Sequence, residues 1–210
     1  MSESWPWLTY AGLGAFHGLN PAMGWLFAVA LGLHRQSRTA MIASLVPVAI
    51  GHAISIAFVA GLLVLAGALV PHHVVRAGAG ALLLAWATYH WRFGHRHRIR
   101  LGMQVGLGGL AVWSFLMATA HGAGLMLWPA LMQTCLDGAS TGTGVQSPLA
   151  AVLVGVGVHT AAMLGIMLLV AILVHEALGV AILRTAWLNV DMVWAATLGL
   201  TGTLLLLDVL

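Results

Sequence analysis

Four histidines, His17, His52, His121 and His159, each fall near the middle of a long apolar run. Neutral imidazole ligates transition metals through either ring nitrogen. An ionisable side chain inside a membrane span is a functional-site candidate by default, and its blander use is a hydrogen bond to a neighbouring helix. Their spacing favours the first use. His17 and His52 are 35 residues apart, His121 and His159 are 38 apart, and each pair opens with a His-Gly step. Four rings placed this way would line one polar site at mid-depth and hold a transition-metal ion, with Cu, Ni, Co and Zn all compatible.

Other side chains are candidates for support. Asn20 offers an amide oxygen to the same site, or caps a broken helix. Met23, Met126 and Met163 offer thioethers to a soft ion, or pack as flexible core side chains. Ser55 and Thr160 follow a histidine by three and one residues and can steady it or bond back to their own helix. Glu176 and Asp191 are acids near span ends, suited to accepting protons or to pairing with Arg184. His90, His95 and His97 either collect metal or join Arg92, Arg96, Arg98 and Arg100 in an interfacial cationic belt. His72-His73 is ambiguous in the same way.

These residues need elements that can hold them, and composition says what those are. Of 210 residues, 61% are hydrophobic and 6% charged, with a mean hydropathy of +1.00. One polar shell around one core cannot be built from so little charge, so the expected solvent is lipid. A span needs about 20 apolar residues. Six runs qualify: 8–33, 39–69, 74–91, 105–133, 149–174 and 187–207. The first carries Phe16-His17-Gly18-Leu19-Asn20-Pro21-Ala22-Met23-Gly24-Trp25 at its centre. Pro21 has no N–H, so a helix through it leaves the His17 carbonyl without its usual partner, and this predicts an interrupted span facing protein or a polar cavity. Pro47 predicts a tilt or bend in the second run.

The chain has eight Arg and no Lys. Arg35, Arg38, Arg92, Arg96, Arg98, Arg100 and Arg184 fall in the first, third and fifth connections, and only Arg76 falls on the other side. The positive-inside rule then puts those connections in the cytoplasm and both termini outside, in a multi-pass inner-membrane protein with Trp5, Trp7, Trp91 and Trp187 near span ends. His17-Gly18, Met23 and Trp25 correspond to His121-Gly122, Met126 and Trp128, and Gly51-His52 to Val158-His159. Three spans per copy make the second enter from the opposite face. The expected fold is all-α and polytopic: six transmembrane helices as two inverted three-helix repeats, residues 1–104 with the basic loop and residues 105–210.

Several functions are excluded or disfavoured. The arginines are confined to connections, which is no nucleic-acid surface. One cysteine, Cys135, allows no internal disulfide or CxxC pair. No P-loop, dinucleotide fingerprint, HExxH or GxSxG occurs, and the few acids sit at span ends, so no enzyme is expected. The start, Met1-Ser2-Glu3-Ser4-Trp5-Pro6-Trp7, lacks the basic region of a cleavable signal. With two three-helix units, a Pro/Gly-broken polar first span in each, the HGLNP-type break and a basic loop between spans three and four, the chain resembles the LysE transporter superfamily over nearly its whole length. That grouping includes amino-acid exporters, nickel/cobalt exporters and DsbD/CcdA-like electron carriers. The paired membrane cysteines of the electron carriers have no counterpart around Pro21 and Pro129, which argues against thiol transfer. Where the nickel/cobalt exporters carry an acid and a second histidine, this chain has Asn20-Pro21 and Met23-Gly24-Trp25.

The resulting expectation is a small transporter, embedded in lipid, that moves a transition-metal ion or other small solute between the two repeats by rocking one half against the other. The lack of mid-span carboxylates argues against Mg²⁺ and Ca²⁺. Two other readings remain open at this stage. One is a non-transporting membrane subunit or assembly factor, in a homo-oligomer or larger complex, whose histidines bind haem or another pigment or only pack. The other is an exporter of an organic solute or amino acid.

Overall fold

A computed structural model describes residues 5–93, 106–131, 148–178 and 190–207. The described residues are all-α, with no strand among them. In chain order the helices are α1 (Trp5–Leu19), α2 (Trp25–His34), α3 (Arg38–Leu69), α4 (His72–Phe93), α5 (Leu107–Ala120), α6 (Ala123–Met126), α7 (Pro148–Leu173) and α8 (Val190–Leu206). A short 3-10 turn, Pro21–Met23, separates α1 from α2, and a π turn, Val174–Leu178, ends α7. His95, His97, Arg184, Cys135 and Asp137 lie outside the described residues.

Both interrupted helices break for local reasons. At the first, Asn20 adopts an extended conformation (φ −70°, ψ 119°), its Oδ1 accepts the Ala22 N–H at 2.9 Å, and Pro21 opens the turn. Gly24 then takes φ +127°, which a residue with a Cβ rarely adopts. At the second, α5 stops at Ala120 and Gly122 follows in the left-handed region at φ +69°; glycine is the usual residue there. That break falls eight residues before Pro129 and has no proline in it. In contrast, α3 continues as one helix past Pro47. Its start is capped by Ser37, whose Oγ accepts the Ala40 N–H at 3.2 Å.

Arg38–Leu69 and Val152–Glu176 are each long and apolar enough to cross a membrane, yet only 39% and 28% of their most apolar stretches are buried inside the protein. Outward faces carry Ile50, Ile54, Phe58, Leu62 and Leu65 on α3, and Leu153, Leu169 and Leu173 on α7, all exposed. A core helix of a water-soluble domain would have these faces covered.

The packing pairs helices from the two ends of the sequence. α1 lies along α7, α5 along α3, and α4 along α8, while α3 crosses α7. Two of these contacts bring backbone onto backbone. A methyl group at Gly14 would stand 2.2 Å from the His159 carbonyl oxygen, and one at Gly51 would stand 2.0 Å from the Ala111 carbonyl oxygen. Small residues at these points let the helices approach closely, as the spacing Gly14/Gly18 suggests. Hydroxyls fill in between: Ser114 donates to the Val48 carbonyl at 2.7 Å, and Ser55 meets Thr119 at 2.7 Å. Ser55 is therefore spent on the α3–α5 contact.

Candidate metal centre

His17 ends the last full turn of α1, His52 lies mid-way along α3, and His159 mid-way along α7. All three are fully buried. At 1.5 Å rise per residue, His52 is about 21 Å from Arg38 along α3. The close α1–α7 approach at Gly14 brings His159 against the α1 backbone, where its Nδ1–H donates to the Tyr10 carbonyl at 3.2 Å. His17 Nδ1–H donates to the Leu13 carbonyl, one turn back, at 2.7 Å. A carbonyl only accepts, so both rings carry their hydrogen on Nδ1 and present a lone pair on Nε2.

His52 closes the set. Its Nε2 lies 3.2 Å from His159 Nε2, with the two rings 4° from parallel and their centroids 5.4 Å apart. That combination describes rings meeting edge to edge in a shared plane, the geometry of an N–H···N hydrogen bond, with His52 donating. The His17 ring stands across both, with centroids 4.9 Å from His159 and 5.4 Å from His52 and planes near 70°. His17 Nε2 and His52 Nδ1 are buried without a hydrogen-bond partner among the described residues. One ligand nitrogen from each of the three rings fits within 4.8 Å of the other two. Buried imidazoles whose second nitrogen is held by a backbone carbonyl have the outer support that metal-ligating histidines ordinarily carry.

His121 does not join these three. It is buried and repeats the local pattern of His17, with Nδ1–H donating to the Met117 carbonyl at 2.8 Å. Trp194 of α8 lies between them, its ring 4.6 Å from His17 and 5.4 Å from His121. The indole N–H donates to the His121 carbonyl at 3.0 Å. On its other side His121 faces His90 of α4, with centroids 5.6 Å apart. His90 is thus turned into the protein, with a buried Nε2 that has no described partner, rather than placed in the cationic belt.

The breaks themselves supply less than the sequence suggests. The His17 carbonyl is taken by the Asn20 N–H at 3.1 Å, and the Leu19 carbonyl by the Trp25 indole N–H at 3.1 Å. At the second break Trp86 and Trp194 donate to the Ala120 and His121 carbonyls. These four carbonyls at the breaks are therefore satisfied within the protein. Asn20 serves as a cap. Met126 is packed with Leu83, Trp128, Trp194 and Leu198, Met163 is packed with Trp25, Val48 and Met167, and Met23 is buried. Glu176 pairs with Arg38 at 3.1 Å, both exposed, rather than standing alone.

Comparison with known protein families, curated proteins and solved structures finds no match to this chain. The functional reading therefore rests on the site. The sequence pattern marks the three clustered histidines but gives no sign that Trp194, within the apolar run 187–207, would meet one of them. The supporting carbonyls of Leu13 and Tyr10 are likewise invisible to composition; only Leu13, four residues before His17, follows from helical geometry.

Proposed function

We propose that the chain is a polytopic inner-membrane transporter whose His17–His52–His159 triad binds a transition-metal ion in transit. One observation carries the reading: three fully buried imidazoles bring ligand nitrogens within 4.8 Å of one another inside helices whose outer faces are apolar. Buried polar groups with no partner carry a cost of about 1–3 kcal/mol each, and His17 Nε2 and His52 Nδ1 are two of them. An ion that takes the His17 Nε2 lone pair removes one of these costs and gives the arrangement a purpose that packing does not.

The helix pairing supports two inverted three-helix halves. Exchanging α1, α3 and α4 with α5, α7 and α8 turns the α1–α7 contact into the α5–α3 contact and leaves α3–α7 and α4–α8 as they are. The head-to-head His52–His159 pair then lies on the exchange axis. The Arg38–Glu176 pair joins the start of α3 to the end of α7, as expected if the first and fifth connections share the cytoplasmic face and both termini lie outside. This is also the architecture behind the resemblance to the LysE superfamily, and it suits alternating access around a fixed site.

The test is flux. Proteoliposomes carrying the wild-type chain should move Cu, Zn, Ni or Co ions down a gradient, and His52→Ala should reduce that flux at least tenfold. Equal flux through wild type and His52→Ala overturns the reading.

A further inference from the structure

We propose that the ion taken by the triad is a soft monovalent cation, Cu(I) or its redox-inert analogue Ag(I), and that divalent ions are discriminated against by charge. This rests on the triad being an ion site at all, and it adds what kind of ion the site accepts.

The argument is one of net charge. Two of the three ligands, His17 and His159, have their Nδ1–H groups committed to backbone carbonyls of Leu13 and Tyr10, so they present neutral nitrogen and nothing else. His52 joins by moving its one ring hydrogen from Nε2 to Nδ1, a change of tautomer without change of charge. Among the described side chains no carboxylate stands by to compensate. Among the side chains the structure describes, the only acid is Glu176, which is exposed and paired with Arg38. It lies 17 residues beyond His159, about 25 Å along the helix. The described side chains therefore leave the charge of the ion on the site uncompensated. The cost of transferring an ion from water into an apolar interior grows with the square of its charge, so a divalent ion meets roughly four times the penalty of a monovalent one of the same size.

Coordination number points the same way. Zn(II) in a three-histidine site completes a tetrahedron with a fourth ligand. Here the Trp194 ring lies 4.6 Å from the His17 ring and perpendicular to it. An indole offers a π face to a cation but no lone pair. Three neutral nitrogens suit an ion content with low coordination, and imidazole is an accepted copper ligand.

The measurement is ion binding to the full-length chain purified in detergent, with Cys135→Ala in every sample because a thiol would capture Ag(I). Exposed histidines such as His72 are accounted for by reading differences from the triad variants. Wild type should bind one Ag(I), and Cu(I) under reductant, that His17→Ala, His52→Ala and His159→Ala each weaken at least tenfold. Zn(II) and Co(II) should bind the triad at least a hundredfold more weakly. His52→Asp, which adds the missing negative charge, should narrow that gap at least tenfold. Zn(II) or Co(II) held by the triad as tightly as Ag(I), or a gap unchanged in His52→Asp, overturns this inference and leaves the ion site standing. Binding of every ion unchanged in all three alanine variants overturns the ion site as well.

Discussion

His17 and His121 begin alike and end in different company. Each sits at the end of a helix, each is followed by glycine, and each donates its Nδ1–H to the carbonyl one turn back, at 2.7 and 2.8 Å. Local chemistry has given both the same tautomer. Yet His17 meets His52 and His159, while His121 meets Trp194 and His90. The difference comes from the neighbours: α1 lies against α7, which brings His159 to it, whereas the far side of the α5 break is filled by the indoles of α4 and α8. A repeated local pattern sets what a side chain can donate, and the packing around it decides to whom.

That comparison can be broken most forcefully at the helix contacts that create it. Gly14→Ala and Gly51→Ala place a methyl group against a carbonyl oxygen of the opposing helix. Each should destabilise the protein by about 1–3 kcal/mol or more, seen as a lower unfolding temperature in detergent. Gly157→Ala, with nothing within 4 Å, should leave it unchanged or raise it. If all three behave alike, the close helix approach is not what holds His159 at the α1 backbone.

The next largest effect separates the two histidines directly. His17→Ala should weaken ion binding at least tenfold and His121→Ala should change it less than threefold, measured by equilibrium dialysis. Equal losses would put His121 back in the site. Asn20→Ala removes the cap of the first break and should cost about 0.5–2 kcal/mol, with no counterpart at the second break, where Gly122 has no side chain to remove. Trp194→Phe keeps the aromatic wall but removes the donor to the His121 carbonyl, so it should cost about 1–3 kcal/mol while leaving ion affinity nearly intact. Last, Glu176→Gln removes an exposed pair and should cost no more than about 0.5 kcal/mol, a loss that salt should erase in the parent.

Much of the fold was legible because its causes are local. Asn20 and Pro21 announce the first break through backbone chemistry alone. The second break was legible only as an echo of the first, since Gly122 acts through its left-handed φ, which composition does not display. Pro47, by comparison, is carried inside α3 without ending it.

The sequence by itself determined that the chain is helical and lipid-like in composition, where its first span breaks, and that imidazoles lie deep within apolar helices. These follow from short-range rules about hydropathy, proline and glycine. Only the tertiary structure decided that three histidines meet and the fourth does not, that Trp194 stands between them, and that Glu176 turns to Arg38. The physical reason is that these helices are apolar nearly all round. No polar stripe distinguishes an inward from an outward face, so the rotation of each helix about its axis is set by contacts such as Gly14 on His159 and Gly51 on Ala111, between residues far apart in the chain.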